Sequence, residues 1–221
     1  MKKIIGMIPT RMASSHFFGK AIAPILDRPM IYWVYKQASK VKELNEIYAV
    51  TSDDSKYGEF MDLYDENKNL TGEKKFREKG GKLKVPKGRY TIVVLAFIEN
   101  SNGEFLFQMT SKRKNNVWAT TGGHVKSGQT SKDAIIEEIK EELGIEINSK
   151  EIKLFKTYRY ENAFKDVFYI KKDIDINTLH YEEDEVEYVK YLTKEEILDL
   201  INNDGNIRKT NIDAFLDIIE K

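Results

Sequence analysis

The sequence predicts an α/β protein in two parts, a small amino-terminal β-α-β unit and a larger domain of mixed strands and helices. Short runs of β-branched and aromatic residues alternate with helix-period stretches along the chain, which is the pattern of an α/β fold. A glycine-rich loop, Gly122-Gly123-His124-Val125-Lys126-Ser127-Gly128-Gln129, feeds directly into an amphipathic acidic segment from Thr130 to Leu143. The 221 residues, 41% hydrophobic and 33% charged, suit a soluble globular chain that can bury a sizeable core.

In chain order, Lys3 to Ile8 reads as a short buried strand that stops at Pro9-Thr10-Arg11. Met30 to Val41 has a helical period, with Pro29 in its first turn, and Glu46 to Thr51 reads as a second strand, parallel to the first. Two strands and one helix are marginal alone, so this unit, placed at residues 1–57, is expected to pack on the second domain or on another chain. The second domain is placed at 58–221. Its stretch from Lys74 to Lys87 is basic and poor in apolar residues, and reads as a mobile loop. Arg89 to Glu99 and Glu104 to Met109 form a hairpin about the turn Asn100-Ser101-Asn102-Gly103. Val117 to Thr121 is a strand that delivers the glycine loop. Further strands are expected at Ile152 to Tyr160, Val167 to Lys171 and Val186 to Leu192. Thr193-Lys194-Glu195-Glu196 is a capping-box signature opening a helix through Ile201, and a last helix spans about Thr210 to Ile219.

With 36 basic and 36 acidic residues the net charge is zero, so no global field favours nucleic acid or an anionic membrane. Without cysteine, disulfides and thiolate chemistry are excluded, and a metal would be held by oxygen or histidine. The amino-terminal apolar run is too short for a signal peptide or a membrane span, which makes a cytoplasmic location the expectation.

The acidic segment holds the chemistry. In a helix, Glu138, Glu141 and Glu142 fall at i, i+3 and i+4 on one face, while Ile135, Ile136, Ile139 and Leu143 form an apolar face that aims them. Like charges at this spacing repel by a few tenths of a kcal/mol per pair, roughly, unless a cation sits among them. A hard divalent ion suits oxygen ligands. The competing reading is an ordinary solvated acidic face.

This segment resembles the Nudix box, in which an opening Gly, a Glu, an Arg-Glu pair, an aliphatic residue, a Glu-Glu pair, and a Gly followed by an aliphatic residue recur at fixed spacings. Counted from Gly123, Glu138, Ile139, Glu141, Glu142, Gly144 and Ile145 stand in register, whereas Gln129 replaces the first Glu and Glu137 replaces the Arg. The Gln129 amide is expected to donate to Glu137, a neutral-plus-acid contact in place of an acid-plus-base one. Trp118 to Gly123 also resembles the lead into the box. Phe60 to Asn67 with Thr71-Gly72 is similar to the opening strands of a Nudix subgroup related to isopentenyl-diphosphate isomerase-like proteins. The resemblance covers about 59–221 and implies an α/β/α sandwich with a mixed sheet.

A second resemblance covers about residues 1–55. Ile8-Pro9-Thr10-Arg11, Ser14-Ser15, Gly19-Lys20, Arg28-Pro29-Met30-Ile31 and Val50-Thr51-Ser52-Asp53-Asp54 are similar to the opening of sugar cytidylyltransferases. The positions matching that family's triphosphate-contacting cations are Arg11 and Lys20, with His16 where a second Arg and Phe18 where a Pro would stand. The segment is a fraction of a transferase, and is expected to lack transferase activity.

The Nudix resemblance implies hydrolysis of the diphosphate linkage of a nucleoside diphosphate joined to another group, with Mg²⁺, or alternatively Mn²⁺, as cofactor. It implies metal ligation by Glu138, Glu141, Glu142 and the Gly122 carbonyl, and a catalytic role for Glu138. Glu182, Glu183 and Glu185 are alternative sources of a base, against plain solvent exposure of that acidic loop. The expected partner is the small-molecule nucleotide, with no nucleic acid or membrane, and with homodimerisation as a further expectation. A nucleotide-binding regulator without turnover and an isopentenyl-diphosphate isomerase-like activity are the competing functions.

Overall fold

The computed structural model describes residues 3–10, 20–21, 23–50, 58–78, 81–181, 184–203 and 205–220. The chain divides into two compact units, Met1–Glu59 with Arg77–Lys82, and Phe60–Phe76 with Leu83–Lys221.

In the first unit, β1 (Ile5–Pro9) pairs in parallel with β4 (Glu46–Val50), from Ile5 opposite Glu46 to Pro9 opposite Val50. A small antiparallel pair, β2 (Pro24–Ile25) and β3 (Arg28–Pro29), precedes α1 (Met30–Ala38). The strand, helix and parallel strand read from the sequence are all present. Helix α1 contains no buried residue, and Met7, Tyr48 and Val50 stay exposed, as so small a unit requires.

Next come β5 (Gly58–Tyr64) and β6 (Leu70–Glu78), which form a two-stranded sheet. The expected loop from Lys74 is thereby corrected, because residues through Glu78 are strand. Glu73, Lys74 and Lys75 are exposed, while Phe76 meets Phe60 edge-on with centroids 5.2 Å apart. The Asp65 carboxylate accepts from the backbone N–H groups of Asn67 and Asn69, closing the turn.

The central sheet contains β7 (Thr91–Glu99), β8 (Phe105–Thr110), β9 (Trp118–Ala119), β10 (Gly122–His124), β11 (Lys153–Arg159), β12 (Ala163–Lys171) and β13 (Val186–Leu192). The order is β11-β12-β7-β8-β13, with β10 on β7 and β9 on β8. The sheet is mixed: β12 runs parallel to β7, whereas the other pairs are antiparallel.

Alternation along β7 builds both cores. Ile92, Val94, Ala96 and Ile98 face Ala134, Ile135, Ile139 and Leu143 of α2 (Ser131–Leu143). Leu95 and Phe97 face the other way, toward Ile197 of α3 (Lys194–Asn202) and Ala214, Phe215 and Ile218 of α4 (Lys209–Ile219). One helix below and two above make the α/β/α sandwich. Each fully buried large apolar side chain in these layers contributes roughly 1.5–3 kcal/mol. The capping box at Thr193 is present, its hydroxyl accepting from the Glu196 N–H at 3.1 Å and the Glu196 carboxylate from the Thr193 N–H at 2.8 Å. No helix among the described residues is long and apolar enough to cross a membrane.

Candidate active site

Helix α2 starts where Thr130 accepts from the Asp133 N–H at 3.1 Å, and it ends at Gly144. Gly144 has φ 69°, and a Cβ there would lie 2.7 Å from the His180 carbonyl, so the end of the helix requires glycine twice over. With Ile135 and Ile139 fully buried and Leu143 nearly so, the rotation of the helix is fixed. Glu142 is then 6% exposed, and Glu138 is partly buried beside it. Glu141 is turned outward, with 54% of its side chain accessible.

Glu138 lies against the loop. A Cβ on Gly123 would stand 1.8 Å from its Oε1, so the absence of a side chain at 123 is what admits the carboxylate. Burial, reinforced by the charges of Glu142 and Glu141, raises the Glu138 carboxyl to about 7 against the opposing Lys126 and Lys114. Burial also raises Glu142, although the Gln108 amide, Lys114, Arg208 and the Gly122 N–H all favour its charged form. Gln108 Nε2 donates to Glu142 Oε2 at 3.0 Å, and Lys114 Nζ lies 3.7 Å from Glu142 Oε1.

The two departures from the box pattern touch each other. Gln129 Nε2 donates to Glu137, and Gln129 Oε1 accepts from the Lys126 N–H at 3.1 Å. Lys126 Nζ donates to the second Glu137 oxygen at 3.1 Å, supplying from the loop a positive charge that the helix lacks. Burial works against the Glu137 anion, but Lys126 and Gln129 outweigh it, and the carboxyl is held below its ordinary range. The loop is further tied to β5: Ser127 Oγ and the Gly128 N–H donate to the Asp62 carboxylate at 2.9 and 2.8 Å.

Of the residues singled out from the sequence, Gly122, Glu138 and Glu142 come together, with Glu141 on the solvent side near Lys126, 3.9 Å away. Among the described residues no three carboxylate or histidine groups stand in an arrangement that would hold one ion by themselves. Glu182 and Glu183 lie outside the described residues, and Glu185 is ion-paired with Arg113 at 2.6 Å and with Lys114. Arg11 and His16 likewise lie outside the described residues, and Lys20 sits in an exposed turn. Tyr158 of β11 and Tyr160 just beyond it donate to Asp217 and Asp213 of α4, while Arg159 donates to the Tyr90 hydroxyl. These rings pack over Lys165, an architectural role.

Sequence reasoning missed Gln108, Lys114, Lys126 and Arg208. For Gln108 a signal existed, since one amide interrupts the apolar run Phe105-Leu106-Phe107 and Met109 and is 4% exposed.

Comparison with known proteins agrees with this fold. The NUDIX domain model matches residues 89–213, more than half of the chain, and a cytidylyltransferase model matches residues 5–65. An uncharacterised Nudix hydrolase of Listeria monocytogenes is 33% identical over 143 residues, 63% of this chain and 82% of the relative. The 3-deoxy-manno-octulosonate cytidylyltransferase of Leptospira interrogans is 51% identical over 53 residues, 24% of this chain but 22% of that enzyme, so the amino-terminal unit matches a fragment. The crystal structure of DR0079 from Deinococcus radiodurans shares the fold, with TM-score 0.60 and 21% identity over 72% of this chain and 98% of that one. The chain thus belongs to the Nudix family, as a pyrophosphohydrolase acting on phosphoanhydrides, with a cytidylyltransferase fragment ahead of the family domain.

Proposed function

We propose that the protein hydrolyses the diphosphate linkage of a nucleoside diphosphate joined to another group, with a divalent cation, Mg²⁺ or Mn²⁺, at the acidic face of α2. The observation that carries this reading is the pair Glu138 and Glu142, two desolvated carboxylates one helical turn apart that raise one another's affinity for positive charge. Mg²⁺ commonly binds through one or two carboxylates together with substrate phosphates, so a third acid on the same ion is not required. The donors present are hard oxygens, which fit that ion. Glu138 and Glu142, with Glu141 and the Gly122 carbonyl, are the groups that would hold it. When bound, such an ion neutralises diphosphate charge and makes water a better nucleophile.

The chain's own residues supply position and proton handling. Gln108 and the Gly122 N–H orient Glu142, and the bare backbone of Gly123 seats Glu138. Glu138, with a carboxyl near neutrality, is the group we assign to accept the proton of the attacking water. Water attack at phosphorus then splits the anhydride into a nucleoside monophosphate and the phosphorylated second group.

The test is a metal-supplemented screen of nucleoside diphosphate compounds on wild type and Glu138→Gln together. Turnover by the wild type that is lost in the variant supports the reading. Nucleotide binding with no turnover by the wild type at any metal concentration would establish instead the regulator reading, which the Glu137 replacement motivates.

A further inference from the structure

Beside the acidic face lies a cavity of about 660 Å³, whose lining includes Lys114, Asn115, Asn206, Arg208 and Lys209. Three of these are cations, and no carboxylate is among the described residues that line it. The walls are fixed by backbone: the Trp118 N–H donates to the Asn206 carbonyl at 2.6 Å, and the Arg208 N–H to the Trp118 carbonyl at 2.8 Å. Asn206 also donates its amide to the Asn116 carbonyl. The cavity floor is therefore anchored to β9, the strand that precedes the glycine loop.

Of the three cations, Lys114 is ion-paired with Glu185, whereas Arg208 is not neutralised where it stands. Arg208 is partly buried, and its guanidinium has no hydrogen-bond or ion-pair partner among the described residues; the charge acting on it is that of Glu142. Burial lowers Arg208, the mark of a cation that has lost water without gaining a full counter-charge. The amino end of α4 opens into the same space with no side-chain cap, adding the positive end of an eleven-residue helix. Lys114 spans the two regions, because its ammonium also lies 3.7 Å from Glu142. An oxyanion in the cavity would thus sit next to the candidate catalytic face.

Resting on the hydrolase reading above, we propose that the Lys114, Arg208 and Lys209 cavity is a subsite for a phosphoryl group lying beyond the anhydride that is cut. The preferred substrates are then nucleotides whose second group carries further phosphate, and not those ending in a neutral sugar. A planar guanidinium with two ammonium groups matches the charge and the several oxygens of a phosphoryl group.

Two measurements test this. The first is calorimetric titration of the full chain with inorganic phosphate, without divalent ions, for wild type, Arg208→Gln, Lys209→Gln and Glu138→Gln, with circular dichroism to establish folding. Wild type and Glu138→Gln are expected to bind, and Arg208→Gln to bind at least tenfold more weakly, with the exposed Lys209→Gln intermediate. Equal binding by all four, or none by the wild type, overturns the subsite. The second is the ratio of kcat/KM for ATP over ADP-glucose, expected to fall at least tenfold in Arg208→Gln; an unchanged ratio also overturns it. The two readings fail separately. Phosphate binding that depends on Arg208, with no hydrolysis of any compound, removes the hydrolase and keeps the subsite. Hydrolysis with an unchanged ratio removes the subsite and keeps the hydrolase.

Discussion

Replacing Glu138 by Gln is predicted to make the metal-free protein more stable at neutral and alkaline pH while removing its activity. The Glu138 carboxyl titrates at about 7 in the folded chain, against an ordinary value of 4.5, because folding buries it beside Glu142 and Glu141. Between those values the folded state binds more protons than the unfolded state, so stability falls as pH rises through that window. The gap corresponds to roughly 3 kcal/mol at most, present as a penalty above pH 7 and absent below about 4.5. Glutamine keeps the shape and cannot ionise, so the variant escapes the penalty. For a chain of this size that is a rise in Tm of roughly 6–12 °C at pH 8, shrinking toward zero near pH 4.5. The assay is thermal unfolding of both proteins in chelator from pH 5 to 8. Adding Mg²⁺ should reverse the order once the ion is at about a thousand times its Kd, where it stabilises the wild type by about 4.1 kcal/mol and the variant little. Equal Tm values at pH 8 in chelator would refute the claim that Glu138 is held charged at a cost.

Gly123→Ala places a methyl group where Glu138 Oε1 now lies, 1.8 Å from the new Cβ. The flexible carboxylate moves aside, so the fold survives within about 1–2 kcal/mol while divalent-ion affinity and kcat/KM fall at least about tenfold, read by calorimetry and turnover. Gln129→Glu sets a second carboxylate against Glu137 and is expected to cost about 1 kcal/mol. Combining it with Glu137→Arg should recover most of that loss, a coupling of about 1–2 kcal/mol in a urea double-mutant cycle. Lys165→Met removes the ammonium that donates to the Thr210 carbonyl at 2.6 Å beneath the Tyr158 and Tyr160 rings. Chemical denaturation should show a loss of about 1–3 kcal/mol, because this bond braces β12 to the first turn of α4.

The sequence made α2 legible because local signals coincide there: a Thr cap, an apolar stripe and a terminal glycine lie within one short stretch. The same holds for α3, whose capping box names its first turn, and for β13. The β6 strand was obscured by its lysines, since a half-exposed hairpin needs few apolar residues to form. At the site, Glu138 and Glu142 lie on the inner side of α2 while Glu141 is turned to solvent. Residues 141 and 142 differ by about 100° around a helix, so when one turns inward the other turns out. Gln108, Lys114 and Arg208 reach Glu142 from β8, from the turn after it and from the amino end of α4. No local pattern encodes such neighbours, because the sheet order that assembles them is a property of the whole domain.

Titration of the chelated full-length protein with Mg²⁺, followed by carboxyl-carbon NMR of its glutamates, addresses the central claim most directly. Shifts confined to Glu138 and Glu142, with Glu141 following weakly and with the response abolished in Glu138→Gln, are the predicted result. Saturable Mg²⁺ binding that leaves those carboxyl signals unmoved, with or without a nucleotide, would contradict the assignment of the acidic face as the metal and catalytic centre.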